Sequence, residues 1–80
     1  MIKQNDVQAI LRELRPEYDF QDSSDFVQDG LLDSMDVIIL VEHIETKFGV
    51  SINGSSIIPE NFKNIDAIVA LIDQSVNKSK

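Results

Sequence analysis

Asp29-Gly30-Leu31-Leu32-Asp33-Ser34-Met35-Asp36, running on through Val37-Ile38-Ile39-Leu40-Val41-Glu42-His43-Ile44, is the stretch that decides how the rest of the chain is read. A turn-forming Asp-Gly pair, two leucines and an acid lead to one serine, and an apolar helical pattern begins directly behind it. Val37, Leu40, Val41, Ile44 and Phe48 recur at helical spacing and predict a helix from about Ser34 to Phe48. Gly49 suits the left-handed residue that ends such a helix. Ile38 and Ile39 are left over from the stripe, so this helix either carries apolar surface in water or touches something else. Ser34 thus sits where loop becomes helix, beside backbone N–H groups without intrahelical partners, and an anion attached there would be favoured.

Upstream, Val7, Ile10, Leu11 and Leu14 fall on one helical face, and Pro16 disfavours helical geometry at Arg15, so a first helix should stop close to Leu14. From Pro16 to Asp33 no period is sustained, which predicts a long loop. Long loops are unusual in compact domains and often functional. Tyr18, Phe20, Phe26, Leu31 and Leu32 are the side chains available to pin it to the core. Downstream, Val50-Ser51-Ile52 is a short extended piece and Asn53-Gly54 a turn signal with no partner strand to follow. Pro59 suits the first position of a brief helix, Pro59 to Lys63. Asn64 is the expected N-cap of a last helix in which Ile65, Ile68, Val69, Ile72 and Val76 repeat at helical spacing, and residues 77–80 should fray. Three long helices, one short one and a long first loop imply an all-α fold, a small four-helix bundle.

Eighty residues make one domain, 1–80, with a limited core and no room for a deep catalytic pocket plus a scaffold. Fourteen acids against seven bases give a net charge of −7, which argues against nucleic acid and favours partners with basic surfaces. Without cysteine there is no disulfide framework, thiolate metal site or cysteine nucleophile. The first residues lack a signal-peptide core, and no window approaches a transmembrane span, so a cytoplasmic protein without membrane insertion is expected.

The run Gly30-Leu31-Leu32-Asp33-Ser34-Met35-Asp36 resembles the attachment motif of acyl and peptidyl (D-alanyl-type) carrier proteins, whose core is Asp-Ser followed by Leu or Met. Its context adds specificity: the amphipathic helix behind it, Phe48-Gly49-Val50 closing that helix, and Ile58-Pro59-Glu60-Asn61-Phe62 ahead of the last helix. The resemblance covers nearly the whole chain. It implies a covalent 4′-phosphopantetheine arm on Ser34, derived from coenzyme A, whose thiol carries acyl or aminoacyl groups as thioesters. It also implies a buried aromatic before the serine, for which Phe26 is the choice. A phosphopantetheinyl transferase and acyl- or aminoacyl-loading and acceptor enzymes would visit a non-catalytic monomer.

The neighbours of Ser34 have two readings each. Asp33 and Asp36 are helix-start carboxylates that interact well with the macrodipole, worth ~0.3 to 1 kcal/mol each; with Glu42 and Glu45 they could also form an acidic collar that steers basic enzymes. Met35 and Ile39 are core or partner contacts. Many fatty-acid carriers have an acid at the position of Ile39 and an apolar residue at that of Glu42, so a specialised pathway is expected rather than core fatty-acid synthesis. Leu40, Ile44, Ile57, Ile58, Phe62 and Ile65 are candidate linings of an apolar cleft for cargo. His43, the only histidine, lacks companions for zinc or general-base duty. An EF-hand register starting at Asp25 would put Val27 at a ligand position, so no metal site is expected. The rival class is a small acidic helical adaptor that binds a basic protein through Met35, Ile38 and Ile39, with Ser34 only a helix cap.

Overall fold

The computed structural model describes residues 3–20 and 23–78. They hold three α-helices, α1 (Gln4–Leu14), α2 (Ser34–Phe48) and α3 (Ile65–Lys78), with 3-10 turns at Gly54–Ser56 and Pro59–Phe62. No strand occurs among the described residues. Helix α1 packs against both α2 and α3, and the Pro59–Phe62 turn packs against α3. Gly49 ends α2 at φ 65°, with its N–H donating to the Glu45 carbonyl at 3.0 Å. Asn64 caps α3, its Oδ1 accepting the Ala67 N–H at 2.7 Å.

The short fourth helix expected from Pro59 to Lys63 is instead a 3-10 turn of four residues, Pro59–Phe62. Proline contributes no N–H, and Asn61 N–H closes an i→i+3 bond to Ile58 at 3.0 Å while its side chain donates to the Ser56 carbonyl at 2.8 Å. Those bonds hold a tight turn whose product is one buried ring, Phe62. Among the described residues the bundle therefore has three α-helices, with a 3-10 turn where a fourth helix was expected. Asn77 and Lys78, expected to fray, continue α3, while Ser79 and Lys80 lie outside the described residues.

The core contains Val7, Ile10 and Leu11 from α1 and Val37, Leu40, Val41 and Ile44 from α2. From α3 it takes Ile68, Leu71 and Ile72. Leu71 was absent from the expected stripe; the buried face of α3 is turned so that Leu71 and Ser75 point inward and Ile65, Val69 and Val76 are only half-buried. Ser75 is tolerable there because its hydroxyl donates to the Leu71 carbonyl one turn back at 3.0 Å.

Between α1 and α2 the described residues form turns and bends, pegged by Phe26. Phe26 is 1% exposed, its ring meets Phe20 edge-on with centroids 5.0 Å apart, its N–H donates to the Lys63 carbonyl at 2.6 Å, and its own carbonyl accepts from Leu31 and Leu32 at 2.8 and 3.1 Å. Asp25 accepts the Gln28 N–H at 3.0 Å, and Gly30, at φ 80°, turns the chain toward α2. Phe20 and Leu32 are buried beside Phe26 and Leu31 is half-buried, whereas Tyr18 stays exposed against the edge of Phe20. The connection is thereby nailed down a few residues before Ser34.

Candidate functional site

Ser34 is the first residue of α2, and its side chain is exposed. The cap of this helix is Asp33: its Oδ1 accepts the Asp36 N–H at 2.8 Å, and Asp36 Oδ2 in turn accepts the Asp33 N–H at 3.2 Å. With the capping done reciprocally by two aspartates, the Ser34 hydroxyl makes no hydrogen bond to any described residue. A reachable hydroxyl at the positive end of a helix of 15 residues results.

The acids divide into different jobs. Asp33 is exposed at the cap. Asp36 is 4% exposed and accepts from Arg15 Nε and Nη2 at 3.1 and 2.8 Å, so it faces inward rather than joining a solvent-facing collar. Burial works against its charge, yet the hydrogen bonds from Arg15 and from the Asp33 N–H outweigh that and hold its carboxyl below the usual carboxylate range. The hydrogen bond to Asp36 in turn raises the Arg15 guanidinium above its ordinary value. Glu45 is half-buried and accepts the Ile52 N–H at 2.9 Å, fastening the segment after α2 to its last turn. Glu42 and His43 are exposed farther along the helix.

The apolar expectations divide as well. Leu40, Ile44 and Phe62 are completely buried core residues, and helix spacing put them there; they line no accessible cleft. Ile65 is half-buried beside Phe20 and Phe26 on the α1–α3 side. Ile57 and Ile58 do line a mainly apolar cleft of about 300 Å³, together with Val27, Val37, Ile38 and Pro59, and its rim includes Asp33 and Ser34. Ile38 is 52% exposed there and Met35, next to the serine, 63% exposed, while Ile39 is half-buried. The surplus of apolar residues on α2 was the available signal for Ile38. Val27 sits in an aperiodic segment and Arg15 at a helix exit, where local pattern carries no information about their partners.

The site therefore combines an uncommitted hydroxyl, a helix N-terminus that attracts anions, and an apolar cleft opening beside the hydroxyl. No described side chain is hydrogen-bonded to the hydroxyl as a base. A family model described as phosphopantetheine attachment site matches residues 5–72, from the first turn of α1 to the core residue Ile72 in α3. No curated protein and no solved structure gives a significant match. The match spans all three α-helices, and the chain belongs to the phosphopantetheine-attachment family of carrier proteins, whose group is a covalently bound 4′-phosphopantetheine.

Proposed function

We infer that Ser34 carries the 4′-phosphopantetheine arm and that the chain, as one carrier domain, is a non-catalytic carrier of acyl or aminoacyl groups in a specialised cytosolic pathway. One observation carries this: Ser34 is exposed at the start of α2 and relieved of capping duty by Asp33. When attached, the arm supplies a terminal thiol for thioester linkage of cargo. The protein's own residues do the rest. The N-terminal amides of α2 favour the single negative charge of a phosphodiester on Ser34 Oγ. Met35 and Ile38 offer apolar surface to a phosphopantetheinyl transferase and to loading and acceptor enzymes, and the net charge of −7 speeds encounter with basic ones. The cleft of Val27, Val37, Ile38, Ile57, Ile58 and Pro59 is where an apolar part of the arm or a short cargo can lie.

Incubation with coenzyme A and a broad-specificity phosphopantetheinyl transferase, followed by intact-mass measurement of wild type and Ser34→Ala, tests this. Wild type gains one arm and the variant gains none. Folded wild type that gains nothing favours an adaptor binding a basic protein through Met35 and Ile38 without a covalent group.

A further inference from the structure

Two carboxylates flank Ser34, one on each side along the chain. Asp33 is exposed at the cap; Asp36 is buried, and Arg15 reaches it from just beyond the end of α1 with two nitrogens, at 3.1 and 2.8 Å on the same Oδ1. The Arg15 side chain is 38% exposed, and its third nitrogen, Nη1, stands 3.6 Å from Glu17. An anion arriving at Ser34 Oγ is attracted by the helix N-terminus and repelled by the carboxylates. A charge-assisted contact through two nitrogens neutralises the inner carboxylate at the shortest range available.

Resting on the assignment of the arm to Ser34, we propose that Arg15 is a positioning residue for arm attachment: by pinning and neutralising Asp36 it keeps the first turn of α2 receptive to the incoming phosphoryl group. In that step the Ser34 Oγ–P bond forms, the P–O bond to departing 3′,5′-adenosine diphosphate breaks, and the hydroxyl proton passes to a base of the transferase. Coenzyme A is the co-reactant, and nothing is oxidised or reduced. The donor is a pyrophosphate, so a loose carboxylate near Ser34 opposes it most as the reacting atoms close. A basic transferase, by contrast, docks no worse on a more acidic protein. Loss of Arg15 therefore lowers kcat and leaves KM for the carrier unchanged or lower.

The test is a time course of arm transfer from coenzyme A on wild type, Ser34→Ala, Arg15→Gln, Arg15→Lys and the double variant Arg15→Gln/Asp36→Asn, each checked for helix by circular dichroism. Arg15→Gln is expected to lose about fivefold to tenfold in kcat, with Arg15→Lys within about twofold of wild type. The double variant, having shed both charges, returns to within about threefold of wild type, all variants being assayed well below their melting temperatures so that a difference in stability moves none of the rates. A purely structural Arg15 would make the double variant as slow as Arg15→Gln or slower. That result, an Arg15→Gln protein with wild-type kcat, or one that has lost its helix, overturns the proposal. Wild type that takes up no arm, or Ser34→Ala that does, overturns the assignment of Ser34 instead.

Discussion

Replacing Phe26 by alanine should come close to unfolding the protein. The ring is 1% exposed and sits edge-on to Phe20 with centroids 5.0 Å apart. Truncating a buried phenylalanine costs about 3 to 5 kcal/mol, part of it the aromatic pair at ~0.5 to 1.5 kcal/mol. The backbone bonds of residue 26, N–H to the Lys63 carbonyl and carbonyl to the Leu31 and Leu32 N–H groups, survive in alanine, so the loss is one of packing. A domain of this size has on the order of 4 to 12 kcal/mol in all. Urea denaturation followed by circular dichroism, with a slope of about 1 kcal/mol per molar, should therefore show the midpoint falling by roughly 3 M or more. Phe26→Leu keeps most of the volume and should lose only about 1 to 1.5 kcal/mol. A Phe26→Ala protein less than about 1 kcal/mol weaker than wild type would refute the view that this ring pegs the connection ahead of Ser34.

Asp36, its carboxyl held below the ordinary range, contributes stability that is complete above the unfolded carboxylate pKa of about 3.9 and is lost as pH falls through the lower folded value. The gap between wild type and Asp36→Asn in urea should thus be constant above about pH 5 and close in more acid solution; a gap that widens toward low pH contradicts the Arg15 contact. Gly49→Ala forces a side chain to φ 65°, where nothing crowds it, so the cost is backbone strain alone, about 1 kcal/mol by thermal melting, and a neutral result rules out the left-handed cap. Asn64→Ala removes the cap bond to Ala67 N–H and should cost about 1 kcal/mol, seen as the loss of amide-exchange protection at the start of α3 first. Unchanged protection there would mean that the cap is idle.

The apolar face and the end of α1, the span of α2 and the glycine that ends α2 were legible because each is a local matter: apolar period, a proline after Arg15, and a residue free to take positive φ. The Pro59–Phe62 turn and the rotation of α3 toward Leu71 were not, since both are set by how Phe62 and the inner face of α3 fill space against the other helices. At the site, the position of Ser34 at a loop-to-helix junction was readable from Asp29-Gly30 and the stripe behind it. Spacing placed Leu40 and Ile44 on the buried stripe, but it could not reveal that Asp33 takes the capping role, that Asp36 turns inward to Arg15 twenty-one residues earlier, or that Ile38 and Val27 line the cleft. Those facts depend on contacts distant in sequence, and a period of 3.6 residues identifies a face without saying what it meets.

Everything rests on where the arm is joined, and peptide mapping after transfer from coenzyme A measures that directly. Fragment spectra should locate the 4′-phosphopantetheine group on Ser34 within the peptide that spans Leu32 to Met35. Finding it on any other serine, such as Ser23, Ser55 or Ser75, or finding folded protein with no such group at all, would contradict the account.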